Sequence, residues 1–288
     1  MRLPPPRADL ILGRVTVPLP LLTSKQLNQM IRARDAGATT LNCSMDLERS
    51  TTTVELHAAH WVWNGDRFPF PERCRDRTIY YWAHGAFQAV ARYSSSLIKL
   101  VPTEWGAPTF EIDGIKMLPT AQTSPYEDAQ RKVGWIQPAG KIILDTCGGL
   151  GYFAAWCVLG GAAQVRSYEK SSDVIWLRGM NPWSPPLGPA LTLEHLDVTH
   201  AVSAIADRSI DAVLHDPPRF GIAGELYSQS FYGHLARVLK HRGKLFHYTG
   251  TPNKLTSGRD VPREIMRRLR IAGFAVERRG DGVLAVKE

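Results

Sequence analysis

Four acids in the second half of the chain each close a short apolar run: KIILD ends at Asp145, AQVRSYE at Glu169, LTLEHLD at Asp197 and IDAVLHD at Asp216. TCGGLG follows Asp145, and Pro217, Pro218, Arg219 and Phe220 follow Asp216. Glycines at a strand-to-helix junction let backbone approach a ligand closely, because glycine has no Cβ and accepts positive φ. Taken alone, the glycines are equally well read as a tight turn. Glu169 stands 18 residues beyond Gly151, the spacing at which a carboxylate accepts hydrogen bonds from both hydroxyls of a ribose. Asp197 is placed to reach an adenine edge. The proline pair is a different device: it fixes φ twice and removes two backbone donors, so a stiff turn presents its carbonyls and the Asp216 carboxylate. Such a turn can hold an amino group by its N–H bonds and align the nitrogen lone pair for attack.

These residues need a scaffold that brings successive strand ends to one edge. From about residue 124 the chain alternates short apolar strands with helical stretches, the pattern of a parallel sheet covered by helices. GKLFHYT is the fifth strand candidate, and YFAAWCVLG, SSDVIWLRGM and FYGHLARVLK are the intervening helices. In GRDVPREIMRRLRIAGF a helix is expected, capped by Asp260, with Val261, Ile265, Met266 and Leu269 on one face and Gly273 ending it. FAVERR and GVLAVKE, joined at Gly280-Asp281-Gly282, read as a closing antiparallel hairpin. Residues 1–118 are read as a separate, β-rich α+β domain that serves substrate recognition. Its strands are TTTVELHAA, HWVWNG, TIYYWAHGAF and FEIDGIKML, and its helix opens with a Thr23/Gln26 capping pair. Residues 119–288 form the second domain, with a helix over 125–135 beside its first strand.

Composition bounds the rest. The chain has 288 residues, 44% of them hydrophobic and 22% charged, which supports packed cores and argues against extensive disorder. A net charge of +8 suits an anionic partner such as nucleic acid, and also suits many proteins that never meet one. Cys43, Cys74, Cys147 and Cys157 lie far apart without CxxC spacing, so neither a zinc cluster nor a disulfide framework is written, and no carboxylate or histidine set has metal spacing. MRLPPPRADL has no long apolar core and no run of about 18 apolar residues occurs, which reads as a soluble, cytoplasmic protein with no membrane partner.

An acid directly before the turn and the spacing D-x-C-x-G-x-G suit a cofactor carrying positive charge better than a pyrophosphate. Over residues 124–288 the chain resembles the class I S-adenosylmethionine-dependent methyltransferases, whose first motif is D-x-G-x-G-x-G. The resemblance implies an α/β fold: a Rossmann-like sheet with helices on both faces and the terminal hairpin, preceded by the small β-rich domain. It implies S-adenosylmethionine as cofactor, held by Asp145, Cys147, Gly149, Gly151, Glu169 and Asp197, with Cys147 standing where the family has its first glycine. HDPPRF resembles the [DNS]-P-P-[YFW] motif of methyltransferases that modify exocyclic amines of bases or protein amides, with Arg219 in the aromatic position and Phe220 next in line. That implies catalytic roles for Asp216, Pro217 and Pro218, and N-methylation of RNA or another nucleic acid. SPYEDAQRK, NPWS and LFHYTG, with HDPPRF, resemble more narrowly a group of predicted methyltransferases of archaea and some bacteria.

Phe220, Tyr227, His247 and Tyr248 are the candidate substrate contacts. His215 is placed to trade protons with them, and Tyr126 to cover a ligand; packing explains each equally well. Trp61, Trp63, Tyr80, Tyr81 and Trp82 read as core of the first domain before they read as a stacking platform. The arginines of the late helix read first as a solvated face. Covalent carbon methylation is disfavoured, because no cysteine follows Asp216 to attack a base. Two alternatives remain: small-molecule transfer, including spermidine-synthase-like aminopropyl transfer, and a non-catalytic binding protein on the same fold.

Overall fold

The computed structural model describes residues 20–250 and 260–288. The opening MRLPPPRADL, read above as non-secretory, lies outside them, as do the first two residues of the GRDVP segment. We number the elements of the second half in chain order. Its strands are β1 (Ile142–Asp145), β2 (Gln164–Glu169), β3 (Leu191–His195), β4 (Ile210–His215), β5 (Leu239–Tyr248), β6 (Phe274–Arg279) and β7 (Gly282–Lys287). They form one seven-stranded sheet in the order β3-β2-β1-β4-β5-β7-β6. Strands β1 to β5 pair in parallel, and the β6–β7 hairpin joins β5 antiparallel through β7.

Period-two alternation sends successive side chains to opposite faces, so an apolar run can cover both. Ile143, Val165, Ala212, Leu214 and Phe246 join one core cluster, and Leu144, Val213 and Leu245 join another. Helices α1 (Pro125–Ile136) and α2 (Tyr152–Leu159) cover the first face through Ala129, Val133, Ile136, Ala154 and Cys157. Helices α5 (Gln229–Val238) and α6 (Val261–Ile271) cover the second through Phe231, Leu235, Ile265 and Leu269. Each fully buried Val, Leu, Ile or Phe among these contributes about 1.5–3 kcal/mol. Between them lie α3 (Ser172–Gly179) and the short α4 (Val198–Ala201). Side-chain caps fix the starts: Ser124 accepts from the Tyr126 N–H, Ser171 from Val174, Ser228 from Phe231 and Asp260 from Arg263.

The first half carries a helix (Ser24–Asp35) and three small antiparallel sheets of three, four and four strands. Trp61 is fully buried there, stacked on Phe68 at 4.6 Å, with Trp63, Tyr80 and Trp82 packed around it. Tyr81 packs instead against the cluster shared with the sheet. That shared cluster runs from Ile98, Leu100 and Phe110 into Ile143 and Ala154, so the first half is built onto the α1/α2 face. The Tyr152 hydroxyl donates to the Pro108 carbonyl at 2.7 Å, and the Trp183 indole donates to the Leu47 carbonyl at 2.9 Å.

Three details differ from the sequence reading. Thr23 bonds the Gln26 side chain and makes no side-chain cap to the helix backbone. Strand β5 begins at Leu239, at the end of the FYGHLARVLK run read as helix and before the strand expected from Gly243, and its pairing with β4 is irregular between Ile210 and Ala212. Strand β3 stops at His195, so Asp197 lies past its end and caps α4 instead, accepting from the Thr199 N–H and hydroxyl at 2.9 and 2.7 Å.

Candidate active site

A cavity of about 440 Å³ lies at the carboxyl edge of the sheet, where β1 and β4 diverge to opposite neighbours. Its volume falls in the range of roughly 300–1,000 Å³ that small-molecule sites occupy. Cys147, Gly149, Gly151, Glu169, Asp216, Pro217, Pro218 and Tyr248 all line it. The opposite wall comes from the first half, where the Thr109–Ile112/Ile115–Lys116 hairpin and the Met117–Ala121 segment close over the glycine turn.

The glycines of this turn do different work. A Cβ on Gly148 would fall 2.5 Å from Ser167 Oγ, and one on Gly151 would fall 2.6 Å from Arg178 Cζ. The turn is therefore pressed onto a buried arginine behind it. Gly149, with φ +49, would meet nothing closer than 4.0 Å and faces the cavity. Its N–H donates to Glu169 Oε2 at 3.0 Å, and the Ser171 N–H donates to Oε1 at 2.9 Å. Each oxygen keeps a free lone pair. Burial raises the Glu169 pKa against these two bonds.

Asp145 does not reach the cavity. It is 1% exposed and accepts from the Ser167 hydroxyl at 2.8 Å, and Arg178 Nη1 donates in turn to that hydroxyl at 3.3 Å. Burial pushes its carboxyl up to about 6, against the pull of Ser167 and Arg178. Asp145 thus braces the turn from behind, outside the lining of this cavity. Asp197, on the α4 cap, is likewise absent from the lining.

On the acceptor side, the Asp216 carboxylate faces the cavity and, among the described residues, accepts no hydrogen bond. Burial pushes it up to about 7; Lys132 opposes the rise, and Asp128, Asp281 and Asp145 add to it. The structure gives three sequence candidates supporting places outside the lining. The buried Tyr227 donates to the Pro218 carbonyl at 2.9 Å, bracing the turn. Phe220 is 46% exposed and packs edge-on to Tyr227. His247 is fully buried: its Nδ1 donates to the Tyr248 carbonyl at 2.8 Å, so Nε2 accepts from the Tyr232 hydroxyl at 2.9 Å. His215 is buried beside it, donating from Nε2 to the Leu226 carbonyl and accepting at Nδ1 from Thr146. Burial holds both imidazoles neutral, His247 at about 4 and His215 well below its ordinary value. They lock the strand ends and have no free nitrogen to trade protons. Tyr126 packs among Tyr152, Trp156 and Trp183.

Sequence reasoning passed over Asp128, Lys132 and Asp281. The available signal was an i,i+4 charged pair on the apolar face of α1, beside Ala129, Val133 and Ile136. Among the described residues no His, Cys, Asp or Glu group is arranged to hold a metal, all four cysteines are free, and no helix is long and apolar enough to cross a membrane.

The uncharacterized protein MJ1233 of Methanocaldococcus jannaschii is 41% identical to this chain over 216 residues, covering 73% of each. The chain belongs to the family of that archaeal protein. No protein-family model matches it. Among solved structures, a spermidine synthase in complex with the transition state analogue AdoDATO superposes with a TM-score of 0.54 at 17% identity, over 71% of this chain and 76% of that one. The Thermotoga maritima spermidine synthase gives 0.51 at 16%, over 70% and 75%. At such identities the likeness shows the fold alone. The family member described here has the Rossmann-like fold of these synthases, a mixed seven-stranded sheet with the terminal hairpin, preceded by the β-rich first half.

Proposed function

We propose that the protein transfers a methyl group from S-adenosylmethionine to an amine nitrogen. The observation that carries this reading is the meeting, in one cavity, of an open glycine turn bonded to the Glu169 carboxylate and an unpaired carboxylate on a stiff proline turn. The lining fits the cofactor: Gly149, at φ +49, leaves the turn open toward the cavity with nothing closer than 4.0 Å to its Cβ position, and Glu169 has lone pairs for two hydroxyls. When bound, S-adenosylmethionine supplies an electrophilic methyl carbon on a sulfonium. The protein's part is positioning. Tyr227 occupies the Pro218 carbonyl, which leaves the Pro217 carbonyl and Asp216 to accept the two N–H bonds of the acceptor. Asp216, pushed up to about 7, is suited to take a proton from that nitrogen.

For the acceptor, an exocyclic amine in RNA or another nucleic acid is the reading that the proline motif favours. A cationic aliphatic amine is the second reading, favoured by the unpaired Asp216 carboxylate in the lining and consistent with the spermidine synthases that share the fold. Incubating the protein with methyl-labelled cofactor and, separately, total RNA, protein extract and a polyamine mixture distinguishes them by which fraction takes up label. Label in none, with no calorimetric binding of the cofactor, would overturn the assignment in favour of a binding protein.

A further inference from the structure

Beyond the cavity wall lies a buried charged cluster that the transfer reading leaves without a role. Lys132 is 1% exposed, with its Nζ 2.6 Å from Asp128 Oδ2, 3.3 Å from Asp281 Oδ2 and 4.0 Å from the Tyr248 ring centroid. Its partners come from three places: its own helix, the β6–β7 turn and the end of β5. Burying a lysine costs several kcal/mol that an ion pair offsets only in good geometry, and apolar residues of similar volume would join these elements at least as well. The cluster therefore calls for a reason besides stability. Its position supplies one: Asp128 and Tyr248 line both the cavity containing Asp216 and a second cavity of about 670 Å³. Among the described residues, Lys132 is the single fully buried ammonium next to the acceptor wall.

We propose that Lys132 is the positioning residue of the acceptor wall, holding Asp128, Asp281 and Tyr248 in place and setting the charge of the Asp216 carboxylate. The proposal rests on the transfer reading for its purpose, and its test needs neither cofactor nor acceptor. The charges that bear on Asp216 are Lys132 and Asp128 from α1, Asp281 from the hairpin turn and Asp145 from β1, and the half-exposed Arg131 of α1 also pairs with Asp128 and, at 3.6 Å, with Asp281. Cys147, Tyr227 and Tyr248 also face it; burial raises their pKa values, and they stay neutral in the relevant range. Lys132 itself stays charged: burial lowers its pKa, but Asp216, Asp128 and Asp281 outweigh burial and raise it.

The two partners of the pair then make opposite predictions. Lys132→Met removes the opposing cation and moves the Asp216 titration upward by about one pH unit or more. Asp128→Asn removes a like charge, frees the ammonium for Asp216 and moves the titration downward by a similar amount. The measurement is a ¹³C NMR pH titration of the full chain labelled at aspartate side-chain carboxyls, with the Asp216 resonance assigned by its loss in Asp216→Asn. Lys132→Arg, which keeps the charge, stays near the unmodified protein. Shifts in the same direction, or no shift, overturn the proposal, because general loosening of the fold does not give opposite signs. If Lys132→Met does not fold, Lys132→Gln takes its place, and an Asp216 titration that does not move upward in it overturns the proposal. Failed cofactor binding in calorimetry would defeat the transfer reading without touching this result.

Discussion

The two walls of the cavity are built on opposite plans. On the glycine-turn side, Glu169 is tied to two backbone N–H groups and Asp145 to Ser167, with Arg178 packed behind, so both acids shape backbone, Asp145 from outside the lining and Glu169 from within it with a lone pair left on each oxygen. On the proline-turn side the backbone is already stiff, braced by Tyr227 and the buried histidines, and the Asp216 carboxylate is left unspent. An acid that holds a loop and an acid left unpaired in a cavity look alike in sequence. Their hydrogen-bond partners tell them apart.

The sharpest way to break this comparison is to remove one acid from each side. Asp216→Ala is expected to lower transfer by about 10²–10⁴-fold while cofactor affinity stays within a few-fold, read by label incorporation and calorimetry. A variant that still turns over would place Asp216 among the bracing acids. Asp145→Asn is expected to act on stability instead. With its carboxyl at about 6 in the fold and about 4 unfolded, the folded chain holds the extra proton between these values. Stability from this group is present below about pH 4 and is lost as pH rises through about 6, a swing of about 2–3 kcal/mol. The amide does not titrate, so the variant's urea stability should fall less steeply with pH than the unmodified protein's over that window, and the smaller relief at Asp216, which the Asp145 charge also raises, acts in the same direction.

Two smaller effects sharpen the glycine side. Gly151→Ala forces a Cβ onto Arg178 at φ +81 and is expected to cost about 2 kcal/mol in denaturant unfolding. Gly149→Ala has space and should cost less stability, with its larger effect on cofactor affinity; the reverse ranking would show that the turn is shaped by the ligand rather than by Arg178. Cys147→Gly is expected to change least, leaving transfer largely intact, because the thiol is neutral and serves only as a small wall residue. A dead Cys147→Gly protein would give the thiol a role in the chemistry.

Much of this molecule was legible in its sequence. Apolar runs set the strands, serine and aspartate caps set the helix starts, and Gly280-Asp281-Gly282 set the hairpin, because these signals act within a few residues. The same local logic brought Cys147, Gly149, Gly151, Glu169, Asp216, Pro217, Pro218 and Tyr248 to one sheet edge. Only the tertiary structure decided which way the other side chains turned. Asp145 ends a strand as Glu169 does, yet Ser167 and Arg178 claim it from neighbouring elements. His247 sits beside Tyr248 but points to Tyr232, because alternation along a strand sends neighbours to opposite faces. Lys132 reads as one more solvated helix charge until Asp281, 149 residues later in the chain, folds back against it. A charge's meaning depends on partners far away in sequence, and those partners are fixed only when the sheet closes.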